Sequence, residues 1–155
     1  MSHEDLPFEG LKVLDLSQGV AGPYCGMHLA RNGADVVKLE PTGTGCWSRQ
    51  LGKAVGDQTA HSVVVHRGKR SIAADLKSRE GLEIALKLAA DCNVMIQNYR
   101  VGKLAKFGLD YESVAKTNPK VVYVAVTGFG QTGPRNDQPA TDSVMQAFTG
   151  MMSIN

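Results

Sequence analysis

The chain has 155 residues, about one domain at the usual ~100–200 residues each, and its 43% hydrophobic and 21% charged residues are the composition of a soluble globular protein with enough apolar side chain to bury a core. That excludes disorder and collagen-like repeats; no run approaches the ~18 consecutive apolar residues of a membrane span, and the opening MSHEDLPFEG lacks the apolar core of a signal peptide, so the protein is read as cytoplasmic. With 17 Lys+Arg against 15 Asp+Glu the net charge is +2, too small for a general affinity for nucleic acid, so any anion site has to come from local clustering.

In chain order, short β-branched runs alternate with helix-like stretches, which is the α/β pattern. Leu11 to Leu16 (LKVLDL) reads as a strand, broken by Ser17-Gln18-Gly19. Gly22-Pro23 then opens a helix to Asn32, because proline suits a first turn, and Gly33 stops it. Ala34 to Glu40 is a second strand, so the first forty residues form one β-α-β unit with parallel strands. Pro41 to Ala60 holds five Gly and Pro residues and the only Trp, and is expected to be a long surface loop with a functional role. Ser62 to Val65 is β-like in composition but could equally be a buried helix turn, and Arg70 to Leu76 is a strand. Ser78 caps the clearest helix, with Leu82, Ala85, Leu86 and Ala89 forming an i, i+3, i+4, i+7 stripe. Cys92 to Gln97 and Lys120 to Val126 are buried strands, separated by Val101 to Phe107 and by an Asp110-capped helix ending near Asn118-Pro119. A glycine-rich loop, GFGQTGP, leads to a last amphipathic segment, Asp142 to Met152. No interdomain linker or internal repeat is visible, and residues 1–155 are taken as a single domain.

Chemistry in such a fold collects where strands end and helices begin, since helix N-termini there present unpaired N–H groups. Ser17 to Gly22 either offers backbone amides to an anion or is a plain strand-to-helix turn; it does not spell GxGxxG. His66-Arg67-Gly68-Lys69-Arg70 puts three fixed positive charges in five residues, either a phosphate clamp or a solvated face. Asn98-Tyr99-Arg100 follows a buried strand with Lys103 and Lys106 close behind, so Tyr99 could face a base while the cations meet phosphate, or the segment is an ordinary exposed loop. Asp142 opens the last helix, where capping accounts for it. Cys25, Cys46 and Cys92 form no CxxC, and His3, His28 and His61 have no partner at metal-ligand spacing. No disulfide framework or metal site is expected, no GxSxG or Cys-His triad appears, and Met145, Met151 and Met152 are read as core.

Taken together, the blocks LPFEGLKVLDLSQGVAGPYCGMHLARNGADVVKLEPTGTG, HRGKRSIAADLKSREG and NVMIQNYRVGKLAKFGLDYESVAKTNPKVVYVAVTGFGQTGP closely resemble the N-terminal part of the class III CoA-transferases, the CaiB/BaiF family of formyl-CoA transferase, carnitine CoA-transferase and α-methylacyl-CoA racemase. The resemblance runs from about Leu6 to Asn155. It implies a Rossmann-like, doubly wound, mostly parallel sheet with flanking helices that binds coenzyme A, in proteins that are longer and form interlocked dimers. Family contacts to CoA fall on Gln18 and Ala21, on Ala74, Leu76 and Lys77 around the adenine, and on Asn98, Tyr99, Arg100 and Lys106 near the phosphates. The implied reaction is transfer of CoA between carboxylic acids: a carboxylate attacks the acyl-CoA carbonyl, a mixed anhydride forms and CoA thiolate leaves. Three positions depart from the family. Val101 stands where a proline is common, Ala140-Thr141-Asp142 replaces Gly-Tyr-Asp or the racemase Gly-His-Asp, and the nucleophilic aspartate is expected beyond Asn155, leaving Asp142 as an active-site position only. The expectation is a truncated domain, inactive alone and completed by a second chain or a homo-oligomer. The alternatives are a free-standing CoA or adenine-nucleotide binding module, or a structural oligomerising remnant.

Overall fold

A computed structural model describes residues 6–154; His3 lies outside the described residues. The core is a five-stranded parallel sheet of β1 (Lys12–Asp15), β2 (Asp35–Glu40), β5 (Arg70–Ala73), β6 (Val94–Gln97) and β7 (Val122–Ala125), in the order β5-β2-β1-β6-β7. Counting these five strands along the chain, the order is 3-2-1-4-5. The sheet is thus wound outward in both directions from β1, with the reversal between β1 and β6. The α/β, Rossmann-like expectation holds.

Strand alternation sorts the apolar residues onto two faces. Leu14, Leu39 and Met95 pack with Ala85 and Ala89 of α3 (Arg79–Asp91), with Val114 of α4 (Tyr111–Thr117), and with Leu104 of the 3-10 turn Leu104–Phe107. Val13, Val36, Val94 and Ile96 pack against Cys25, Leu29 and Ala30 of α1 (Ala21–Arg31). Pro23 falls in the first turn of α1, where its missing N–H is no loss, and Gly33 takes φ 103° just past the Asn32 cap. Ser78 caps α3 by accepting from the Gly81 amide at 3.0 Å. Leu88, not Leu86, joins the buried face of that helix, and Leu86 stays 39% exposed at its rim.

The structure resolves or corrects several expectations. Ser62 to Val65 is helical: α2 (Ala60–His66) is started by a reciprocal capping box between Thr59 and Ser62, which overrides the β-propensity of three consecutive valines. The loop from Pro41 to Ala60 contains the 3-10 turn Trp47–Gln50 and a small hairpin, β3 (Ala54–Val55) with β4 (Gln58–Thr59), turned by Gly56 at φ 63°. The strand predicted to Leu76 ends at Ala73. Asp110 takes the N-cap position of α4, but its side chain makes no capping bond. In α5 (Asp142–Thr149) the cap is Thr141, and Asp142 is the first helical residue. Met151 and Met152, read as core, are each 50% exposed. Among the described residues no helix is long and apolar enough to cross a membrane.

Candidate functional site

The reversal of strand order falls between β1 and β6, and the turn after β1 is held at their carboxyl ends residue by residue. Ser17 donates its backbone N–H to Asp15 Oδ1 at 2.9 Å, and its carbonyl accepts from the buried Lys38 ammonium. Gln18 and Asn98 clasp each other: the Gln18 N–H donates to Asn98 Oδ1 and Asn98 Nδ2 donates to the Gln18 carbonyl, both at 2.7 Å. Gly19 donates to Cys46 Sγ at 3.2 Å. The amides of 17, 18 and 19 are therefore committed within the protein, and no acceptor among the described residues meets those of Ala21 and Gly22 in the first turn of α1. An anion at this turn would meet the helix start, two residues later than the glycine spacing suggests.

Glycine is required twice at this turn. At Gly19, φ 79° and the Trp47 indole lying on the backbone leave no room for a Cβ; at Gly22 a Cβ would sit 2.6 Å from Ser17 Oγ. Trp47 is half-exposed, its backbone N–H donates to Gln18 Oε1 at 3.3 Å, and Gln18 Nε2 is buried with no partner among the described residues. The loop holding the only Trp is thus docked against the turn.

The other site residues predicted from the sequence follow the carboxyl ends of two further strands. Ala74 is buried after β5, with Leu76 packed on the α3 side of the core; Lys77 is exposed. Tyr99 packs its ring against that same core, and burial raises its phenol pKa, so it is turned inward more than the image of a base-facing ring suggests. Arg100 and Lys106 are exposed and, like Lys77 and Lys103, have no ion pair among the described residues. Asp142 is on exposed α5, where it accepts from Gln146 Nε2 at 2.5 Å.

The cluster at residues 66–70 is not one solvated face, because its side chains part in different directions. Lys69 turns inward to Asp15 at 2.7 Å, Arg70 turns outward to Asp35 at 2.6 Å, and His66 Nε2 meets Ser48 Oγ at 2.9 Å. Burial, with Lys69 and Lys38 nearby, lowers the His66 imidazole to about 4, so it is neutral at pH 7.

Sequence reasoning missed the ionic network beneath the turn. Asp15, Lys38 and Glu40 sit on the strand face covered by α1 and α2, almost completely buried. Burial pushes the Asp15 carboxyl upward, but Lys38 and Lys69 beside it outweigh that and hold it below the usual range. Glu40 is likewise raised by burial and then drawn down to about 2 by the bidentate Arg49 (2.7 and 2.8 Å), the Cys46 amide and the Ser71 hydroxyl. Parallel strands under a crossover helix are covered on both faces, so the charges at their carboxyl ends, Asp15, Lys38 and Glu40, had to be buried and paired, while Lys12 and Asp35 at the other end stay exposed; that was the available signal.

Comparison with known proteins agrees with this geometry. The model of CoA-transferase family III matches residues 8–155, and the chain belongs to that family. It is 41% identical over 149 residues to the human succinyl-CoA:glutarate CoA-transferase, covering 96% of this chain and 34% of that protein. It is 40% identical over 146 residues to the acetyl-CoA:oxalate CoA-transferase of Acetobacter aceti, covering 94% and 38%. A crystal structure of a CAIB/BAIF family protein from Brucella suis superposes with a TM-score of 0.89 at 40% identity, covering 95% of this chain and 40% of that one. The chain thus spans little more than a third of the length of the curated relatives it matches.

Proposed function

We propose that this chain is the coenzyme A-binding part of a class III CoA-transferase, holding the nucleotide end of CoA or acyl-CoA along the carboxyl edge of its sheet. The observation that carries the reading is the Gln18–Asn98 clasp at the reversal of strand order, which joins the turn before α1 to the segment bearing Tyr99 and Arg100. In doubly wound sheets that crevice is where nucleotides bind. Ala21 and Gly22 would present amides to phosphate. Lys77, Arg100 and Lys106, exposed and without carboxylate partners among the described residues, would supply charge-assisted hydrogen bonds, which are individually stronger than neutral ones. Ala74 and Leu76 offer the apolar wall an adenine needs.

Calorimetric titration with CoA, 3′,5′-ADP and pantetheine tests this. CoA and the ADP should bind with similar affinity and pantetheine much more weakly; equal affinity for pantetheine and CoA refutes the assignment. Binding is expected without turnover. With succinyl-CoA and hydroxylamine, the chain should trap no hydroxamate above the protein-free rate, because Asp15 beneath the turn is fully buried and held by Lys38 and Lys69, and Asp142 lies on exposed α5 bonded to Gln146. Turnover abolished by Asp142→Ala would make that carboxylate the nucleophile instead. Association with a second copy or chain belongs to the same reading, supported by the exposed Phe148, Met151 and Met152.

A further inference from the structure

On the α2 side, the buried ionic network opens into a pocket of about 260 Å3, lined among others by Glu40, Arg49, His66, Arg67 and Lys69. Its charges do not balance. Lys38, Lys69, Arg49 and Arg67 bring four cations to or just behind the pocket wall, against three carboxylates, Asp15, Glu40 and, beside Arg49, Asp57. Glu40 is fully engaged by Arg49, Ser71 and the Cys46 amide, and Asp15 is shared between two lysines.

Three groups keep unused hydrogen-bonding capacity there. The Lys69 ammonium, with a side chain only 1% exposed, gives two of its three hydrogens to Asp15 Oδ2 (2.7 Å) and the Pro23 carbonyl (2.6 Å). His66 Nδ1 is buried without a partner among the described residues, and it carries the ring proton in the tautomer in which Ser48 Oγ donates to Nε2. Arg67 has no ion pair among the described residues. A buried cation short of acceptors is costly, and a small multidentate acceptor is the complement that would relieve all three at once. The fold holds Lys69 in place: a Cβ at Gly26 would sit 2.9 Å from Asp15 Oδ2 and 3.0 Å from Lys69 Nζ, so α1 lies directly on the pair.

We propose that this pocket binds a small oxyanion of phosphate or carboxylate size, held by Lys69, Arg67 and Nδ1 of His66. The site is separate from the crevice between β1 and β6 and stands whether or not CoA binds there.

Calorimetric titration of the full chain with inorganic phosphate and, separately, succinate tests it, with the imidazole 15N resonance of His66 followed by NMR. One anion should bind saturably, one per chain, and shift the Nδ1 resonance. Arg67→Ala, at an exposed position, should weaken binding about tenfold or more through loss of a charge-assisted contact. Arg67→Lys should recover part of it, and Val63→Trp at the half-exposed rim should abolish it. Arg79→Ala, on an exposed pair with Glu83, should leave it unchanged. If Val63→Trp fails to fold by circular dichroism, the Arg67 pair alone decides. Displacement of phosphate by CoA would identify the oxyanion as the coenzyme's own, and independence from CoA a free ion. Absence of saturable binding of both anions, or affinity and His66 shift unchanged in Arg67→Ala, overturns the proposal.

Discussion

The sheet body, from β1 to β7, and the stretch from residue 127 to 154 treat their side chains in opposite ways. In the body even charges go inside: Asp15, Lys38 and Glu40 are buried under helices and matched by Lys69 and Arg49. In the final stretch no residue is buried, and Val144, Phe148, Met151, Met152 and Ile154 are 43–81% exposed. There Phe148 meets Phe129, edge to face at 5.1 Å, and Arg135 over its ring at 4.9 Å. The contrast shows that an amphipathic period suffices to form α5 but not to bury it, because burial needs a second layer.

The largest effect expected from breaking this contrast comes from Asp15→Ala. It leaves two buried lysines with no counter-charge and should cost about 3–5 kcal/mol, a large share of the ~5–15 kcal/mol typical of a domain, as read from chemical denaturation. A loss below 1 kcal/mol would mean that the lysines find water or other partners.

Gly22→Val comes next. Its side chain must overlap Ser17, and overpacking of this kind costs about 1–3 kcal/mol. Because the displaced segment is the turn before α1, CoA affinity should fall with stability, whereas a surface change such as Arg79→Ala should move neither.

The pH dependence should show two acid limbs. His66 binds its proton less readily folded (about 4) than unfolded (6.5), so the unfolded state takes up protons first and stability falls as pH drops from about 6.5 towards 4. Glu40 at about 2, against 4.5 unfolded, contributes stability that is present above 4.5 and is lost as pH falls from there towards 2. Denaturation midpoints against pH should lose the upper limb in His66→Gln and keep the lower one; a profile flat between pH 7 and 5 in the parent chain would contradict the buried neutral imidazole.

Smallest for stability is Phe148→Ser, expected to change it by less than about 0.5 kcal/mol because nothing there is buried. Its signature should be association instead: light scattering of the parent chain at high concentration should show oligomers that the variant reduces. A parent chain that stays monomeric would argue against the exposed face being an interface.

These regions were unequally legible in the sequence. β1, α1 and β2, and the Ser78-capped α3, could be read because apolar period and cap residues agreed. The Gln18 and Asn98 segments could be read because they follow buried strands. The ionic network could not be read from alternation alone: Lys38 and Glu40 alternate with Val37 and Leu39 as a solvated face would, and only coverage of both sheet faces makes them internal. Residues 66–70 were partly legible. His66, Arg67 and Lys69 line one pocket, whereas Arg70, the next residue and the first of β5, turns outward to Asp35. Met151 and Met152 misled because hydrophobicity says what wants to be buried, not whether a partner layer is present.

The central claim is that the carboxyl edge of the sheet is the nucleotide site. Native-state amide hydrogen exchange, with and without CoA, tests it most directly. The account predicts that CoA slows exchange at Ala21, Gly22, Lys77, Tyr99 and Arg100, leaving α5 and the hairpin of β3 and β4 unchanged. Protection confined to α5, or spread evenly over the sheet with none at these amides, would contradict it.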